Sequence, residues 1–456
     1  MSVGAVRTGL NGAGRFVGKD APQLSQGDVA ELFVSRHPDL RYTRNFNRWH
    51  VYNGAVWRED RILHVYDLAR SLCREVAITG KGRLTIDSNA YYAAIETIVR
   101  ADKQYVLLAE DWDRDLDSLN TPTGTVNLVT GEMRPNRKED YFTNITAVAP
   151  GGDCPLWRDF LRRVTDGNQE LEDFLQRVAG YCLTGRTQED AIFFLWGTGG
   201  NGKNTFQNNL AGPMGTYSRA AASQTFMATH NPQHPTALAR LRGARLVTTS
   251  EVQDGRWNEE LLKALSGGGP ITANFMHCDQ FEFIPQCKLI ISGNNKPTIR
   301  SVDPAWRRRF HLIPFKVTIA KGEVDQDLRD VKLPREWGGI LQWAIEGCLE
   351  WRRHGLNPPE CVRQATEQYL HDEDVCTRWM EETECRIGRG SYDSASGLYE
   401  SYRKWAEAAG ERFIYSQKRF GQELEKRGFR REHMRPGKFY FGLERKMKGP
   451  TATPAS

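Results

Sequence analysis

The sequence predicts an α/β protein centred on a parallel sheet, with a mixed α+β region before it and a small basic unit after it. Three features predict this. Apolar, β-prone runs at 191–196, 246–249 and 289–291 are short and separated by helical or mixed segments, the pattern of strands buried on both faces of a parallel sheet. A glycine-rich loop follows the first run directly, at 197–202. Between 412 and 448 stand twelve lysines and arginines against four glutamates, a local net charge of +8 in a chain whose total is +5.

The 456 residues suggest two to four domains at roughly 100–200 residues each. Hydrophobic residues make up 39% and charged residues 26%, ordinary globular usage, and no stretch approaches the roughly 18 apolar residues of a membrane span. Residues 1–20 hold glycines and three cations but no continuous apolar run, so they read as a disordered tail, not a secretory signal. The nine cysteines stand far apart, no pair has the short spacing of a zinc site, and they read as reduced cytosolic core residues.

Along the chain, a first domain spans 21–150. Asn53-Gly54 between aromatic-rich runs predicts a hairpin there, and 124–146 predicts short strands joined at Thr130-Gly131. Apolar residues at helical spacing (Phe160, Leu161, Val164, Leu171, Phe174, Leu175, Val178) predict a helical collar over 155–185. The central domain covers 186–350, a helical connector 351–384, the basic unit 385–446 and a tail 447–456.

The run Gly197, Thr198, Gly199, Gly200, Asn201, Gly202, Lys203, Asn204, Thr205 sits between a predicted strand and a predicted helix, the context of a phosphate-binding loop. Glycines let backbone N–H groups close on phosphates, the helix offers its positive end, and Lys203 neutralises β- and γ-phosphate charge. The usual Ser or Thr after the lysine is replaced by Asn204, with a hydroxyl one place later at Thr205, so two residues compete as the Mg²⁺ ligand. A bare glycine-rich turn is the competing reading.

Three further elements follow the loop. Glu251 ends the run at 246–249, where a phosphate-loop ATPase places the carboxylate that holds Mg²⁺ or orients water; Asp254 is its rival. Asn294 ends the third run and fits a sensor of the γ-phosphate, or else an asparagine turn before Pro297. Arg307, Arg308 and Arg309 form a cation cluster whose roles divide between an arginine finger and a basic surface, with Arg308 and Arg309 the finger candidates.

In this order, within about 110 residues, these motifs resemble the superfamily 3 helicases. The phage and plasmid primase-helicase branch related to poxvirus primase-helicases is most similar, over about 26–446. Gly200-Asn-Gly-Lys203, Asn294-Asn-Lys-Pro297 and the stretch from Arg308 to Phe315 carry the likeness. The resemblance implies a P-loop AAA+-like ATPase core using ATP and Mg²⁺, a homo-oligomeric ring, most simply a hexamer, and an N-terminal domain shared by primase-helicases. It also implies a DNA-holding hairpin at 263–277, with Lys263 and His277 touching phosphates, although Gly269 and Asn274 depart from the family's acidic residue and arginine.

The basic unit resembles a winged helix. Helices at 398–409 and 417–427 precede the alternating strand 438–441. Lys418, Arg419, Lys426 and Arg427 are expected to meet DNA, with Arg430, Arg431 and Arg435 in or beside the wing.

These readings converge on an ATP-dependent helicase or translocase for single-stranded and forked DNA in phage or plasmid replication, in a bacterial cytoplasm, working with a separate primase and other replication proteins. Two alternatives stand beside it. One is a non-unwinding origin or packaging adaptor. The other is a primase, which needs paired metal-binding carboxylates. Asp111, Asp113, Asp115 and Asp117 are the nearest such group and read as a solvated acidic loop.

Overall fold

The structure is a computed structural model that describes residues 24–79, 86–228, 235–249, 252, 255–275, 280–300, 302–411, 413–435 and 437–446. Its N-terminal region comprises α1 (Gln26–Arg36), β1 (Leu40–Thr43), β2 (Arg48–Tyr52), β3 (Trp57–Glu59), α2 (His64–Thr79), α3 (Asn89–Val99) and β4 (Val106–Leu107). Ser25 and Asp28 form a capping box that starts α1. The predicted hairpin forms between β2 and β3, where Asn53 Oδ1 accepts from the Ala55 and Val56 N–H groups at 3.1 and 3.0 Å. Val29, Phe33, Trp49, Ile95 and Tyr105 pack the helices onto the sheet β3-β2-β1-β4.

Strands β5 (Ser118–Thr121), β6 (Gly124–Asn127) and β7 (Met133–Arg134) make a small antiparallel sheet turning at Gly131, as expected. Its Leu119 and Val126 join the core of the central domain instead of the first cluster. The collar helices α4 (Pro155–Val164) and α5 (Gln169–Leu183) belong to that same core.

The central sheet uses β8 (Ile192–Trp196), then, after α6 (Lys203–Ala211), β9 (Ser218–Ala220); after α7 (Pro235–Ala239), β10 (Leu246–Thr249). Next come α8 (Glu259–Ser266), the hairpin β11 (Ile271–Ala273) and β12 (Phe281–Phe283), β13 (Lys288–Gly293), α9 (Pro304–Arg309) and β14 (Phe310–Pro314). All five sheet strands run parallel in the order β14-β8-β13-β10-β9. Phe193, Leu195 and Ile290 face one hydrophobic cluster while Ile192, Phe194 and Ile291 face another, so the sheet is covered on both sides. The three predicted strands are its centre. Two edge strands were not predicted, because Ser218–Ala220 is short and polar and Phe310–Pro314 directly follows three arginines.

Helix α10 (Trp337–His354) packs on α5 at a very close crossing: a Cβ on Gly180 would lie 2.0 Å from Cys348 N, and one on Gly347 would lie 2.1 Å from Gln176 O. Helix α11 (Glu360–Glu373) then covers β14. The C-terminal unit contains α12 (Val375–Glu382), β15 (Arg386–Ser394), α13 (Ala395–Ala408), α14 (Gln417–Lys426), β16 (Arg430–Met434) and β17 (Gly437–Glu444), with an antiparallel sheet β15-β17-β16. This packing divides the expected connector 351–384, because Asp374 caps α12 and Cys376, Trp379 and Met380 lie in the C-terminal cluster.

Asp113 and Asp117 are held within the fold, which corrects the reading of the four aspartates as a solvated loop, while Asp115 stays exposed. Asp113 is 9% exposed and accepts from the Thr143 and Asn144 N–H groups at 2.9 and 3.3 Å. Asp117 holds the Arg186 and Arg352 guanidiniums, whose charges keep its carboxyl below the usual carboxylate range. Asp111 and Asp115 cap turns. Asp117 alone of the four ties this segment to the central core through its side chain. Among the described residues no cluster of three or more His, Cys, Asp or Glu is placed to hold a metal, and no helix is long and apolar enough to cross a membrane.

Candidate functional site

The glycine-rich loop leaves β8 at Trp196, whose register partners are Gly293 of β13 and Pro314 of β14. That register brings Asn294, the next residue of β13's exit, beside Gly197. Lys203 opens α6 and turns back under the loop, 7% exposed. Its Nζ donates to Gly197 O at 2.8 Å, Asn201 Oδ1 at 2.9 Å and Asn294 Oδ1 at 3.0 Å. Burial pulls its pKa below the ordinary lysine value. Among the described residues its partners are neutral oxygens and none is a carboxylate.

A cavity of about 550 Å³ opens over this group, lined by Gly199, Gly200, Asn201, Gly202, Asn204, Thr205, Val252, Ser292, Gly293 and Asn295 besides Lys203 and Asn294. It lies at the C-terminal ends of adjacent parallel strands, where open α/β sheets bind ligands. Gly202 has φ +84°, and a Cβ there would meet Val164 and Phe160 at 2.7 and 2.8 Å; Gly197 leaves only 2.3 Å to Phe315 O. Gly202 is also the N-cap of α6 and provides no side-chain cap, so the first-turn N–H groups stay available to an anion. The free first-turn N–H groups and the Lys203 ammonium could hold the phosphates of a nucleoside triphosphate, and Thr205 and Asn204 both line the cavity as candidate magnesium ligands.

Residues that sequence reasoning missed support these groups. Gln207, one turn after Lys203, donates to Thr249 O at 2.9 Å and Ile290 O at 2.8 Å, tying β10 to β13. Ser292 Oγ donates to Gln207 Oε1 at 3.1 Å and lies 3.4 Å from Asn204 Oδ1. Trp196 Nε1 donates to Asn294 O at 3.0 Å, fixing the asparagine's backbone, and Lys296 Nζ sits 4.5 Å above the Trp196 ring. The available signal was a polar residue at helical spacing from Lys203 and a tryptophan directly before the loop. Glu251 and Asp254 lie outside the described residues.

The arginines separate. Arg309 is buried and pairs with Asp190 at 2.9 Å, Arg307 pairs with Glu367 at 2.5 Å, and Arg308 remains 64% exposed with a 3.3 Å contact to Asp190. Arg309 is therefore a packed ion pair in the single chain. All three precede β14, whose Phe310 pairs with Ile192 at the start of β8, so they occupy the opposite end of the sheet from the cavity. Five strand residues at ~3.3 Å each separate them from their own loop.

Lys263 lies on α8, not in a hairpin, because Asn258 caps a helix that runs on to Ser266, and its Nζ pairs with Asp303 at 2.6 Å. The hairpin is β11–β12, and Phe275 and Phe281 beside it pack on Phe46 of the N-terminal region. His277 lies outside the described residues. In the C-terminal unit Arg427 is bound to Asp374 and Glu423, and Arg419 stacks on Tyr415 and donates to Arg300 O. Both are tied within the chain. Lys426 and Arg431 are exposed but paired with Glu423 and Glu425 at 2.8 and 3.1 Å. Arg430 is likewise exposed and paired with Glu432 at 2.9 Å, and Lys418 and Arg435 are exposed.

Two family models match the chain: "D5 N terminal like" over residues 30–166 and "Family of unknown function (DUF5906)" over 195–309. A curated "Putative helicase" of Acanthamoeba polyphaga mimivirus is 24% identical over 331 residues, 64% of this chain and 33% of that protein. The chain thus spans about a third of the length of that relative. An apo structure of the NrS-1 C terminal region aligns with a TM-score of 0.51 at 11% identity, covering 89% of this chain and 86% of that one, a likeness of fold.

Proposed function

Because the chain has the domain architecture of the primase-helicases, we propose that it is the motor of a replication helicase, an ATP-driven translocase of superfamily 3 type on single-stranded and forked DNA. The observation that carries this is the meeting of Lys203 and Asn294 at one end of a five-stranded parallel sheet, under a loop only glycines can form. Lys203 exchanges its three neutral oxygens for phosphate oxygens. Asn294, released from the lysine, turns its amide to the γ-phosphate or the attacking water. Glu251 follows β10 in sequence and supplies the carboxylate that orients that water. Thr205 or Asn204, with Glu251, would hold magnesium, which would add positive charge at the phosphates.

Arg308 acts from a neighbouring subunit. It is exposed, weakly held and at the far end of the sheet from its own cavity, so it reaches only another chain's site. Hydrolysis then requires a ring, most simply a hexamer. The C-terminal unit is a winged helix with Lys418, Arg430 and Arg435 toward DNA, and priming belongs to a separate chain. One link between the C-terminal unit and the motor is Arg300, whose carbonyl accepts from Tyr415 Oη at 3.2 Å and whose N–H donates to Glu259 of α8. Strand displacement on a forked duplex tests the reading: ATP-dependent separation lost in Lys203→Ala supports it, and separation that survives Lys203→Ala overturns it.

A further inference from the structure

The C-terminal sheet has two unlike faces. Tyr440 and Leu443 of β17 turn inward and complete a cluster with Trp379, Tyr402 and Phe420. Phe439 and Phe441 turn outward, only partly buried. Register sets Tyr392 of β15 and Arg430 of β16 directly opposite Phe441. The Tyr392 and Phe441 rings stack at 5.9 Å and 26°, and the Arg430 guanidinium lies 5.5 Å from the Phe441 centroid. A guanidinium and two rings thus cross three strands on the solvent side, with Tyr392 53% exposed and the Arg430 side chain 72% exposed.

Core packing does not account for this row, because the cluster beneath is closed without it. Tyr392 is on an edge strand, so one face of its ring has no strand beyond it. Next to it β15 bulges between Ile387 and Tyr392, presenting Gly388, Arg389 and Gly390 to solvent. Arg386 and Arg389 are exposed, and among the described residues neither is joined to a carboxylate; Arg430 is bridged to Glu432 at 2.9 Å. Helix α14, by contrast, has most of its cations committed to carboxylates or carbonyls within the chain.

We propose that this face is a stacking platform for unpaired bases of a single nucleic-acid strand, one base extending the Phe441–Tyr392 stack and the phosphates passing Arg386 and Arg389. Every base has a π face, so such a site holds a moving strand without reading its sequence. The guanidinium on Phe441 adds positive charge beneath the stack. The inference rests on the motor reading only for its setting, because the binding itself needs no nucleotide.

The test is fluorescence anisotropy of the full chain with labelled oligo-thymidine, oligo-uridine and a blunt duplex. Tyr392→Ala weakens single-strand binding about 5- to 150-fold, the equivalent of ~1–3 kcal/mol for one stacked base, and Tyr392→Phe restores it. Duplex affinity is unchanged by either. Loss on both oligomers assigns the platform to either nucleic acid, and loss on oligo-thymidine alone assigns it to DNA. Equal loss on duplex and single strand overturns the proposal in favour of groove binding. Unchanged single-strand affinity with an altered sedimentation size overturns it in favour of a subunit contact. Lys203→Ala retains this binding while ATP turnover stops; turnover that persists removes the motor reading and leaves the platform standing.

Discussion

Lys203 and Asn294, 91 residues apart in the chain, meet ammonium to amide oxygen at 3.0 Å beneath the glycine-rich loop. In the proposed motor, a phosphate oxygen takes the place of this asparagine oxygen on the lysine. Asn294→Ala is expected to lower kcat for ATP by roughly 10²- to 10³-fold, the usual effect of removing one preorganised polar group, with nucleotide affinity little changed. Asn294→Asp places a carboxylate on the lysine and weakens nucleotide binding itself. Stopped-flow binding with a fluorescent ATP analogue, beside steady-state turnover, separates the two effects.

Gly202 is fixed by backbone and by space. At φ +84° with Val164 and Phe160 at 2.7 and 2.8 Å from any Cβ, Gly202→Ala costs roughly 1–2 kcal/mol of backbone strain and about 1–3 kcal/mol of overpacking. Thermal unfolding should show the loss, and ATP should no longer raise the melting temperature of this variant. An alanine protein that melts and binds as the parent does would contradict the loop geometry.

Arg308 and Arg309 are neighbours with opposite expectations. Arg309→Ala removes a buried guanidinium from partly exposed Asp190, which Arg308 still reaches, and destabilises the fold by roughly 1–3 kcal/mol. Arg308→Ala changes stability by under about 0.5 kcal/mol but stops hydrolysis in the assembled protein. Mixing Arg308→Ala with Lys203→Ala should restore part of the turnover, because some interfaces then join an intact loop to an intact finger. No recovery on mixing would remove the finger role from Arg308.

Glu373 accepts from Ile299 N–H at 2.8 Å in the loop that follows Asn294, and burial pushes its pKa from 4.5 up to about 7, with Glu411 and Asp372 adding to the shift and Arg378 opposing it. The folded chain therefore keeps a proton that the unfolded chain releases. The stability this gives is complete below pH 4.5 and is lost as pH rises through 7. Glu373→Gln should match the parent's melting temperature near pH 5 and exceed it near pH 8. A constant gap across that range would show that Glu373 ionises normally.

The sheet's centre and the loop were legible because burial on both faces leaves continuous apolar runs and a phosphate loop leaves its glycines. Lys203 and Asn294 were singled out separately, but their contact depends on the Gly293–Trp196 register, which no local pattern encodes. Gln207 and Ser292 were invisible for the same reason: their partners are strand carbonyls and each other. At the C-terminus Arg427 and Arg419 count as free cations in sequence, and their contacts with Asp374 and the Arg300 carbonyl are legible only in the fold. Charge patterning misled at Asp113 and Asp117, whose partners lie at 143–144 and at Arg186 and Arg352.

ATP hydrolysis by the purified chain, with and without single-stranded DNA and beside Lys203→Ala, bears most directly on the proposed motor. The account predicts turnover that rises with single-stranded DNA, appears with ring assembly and vanishes in Lys203→Ala. Assembled protein that turns over no more ATP than that variant, with magnesium and DNA present, would contradict it and leave a nucleic-acid-binding adaptor in its place.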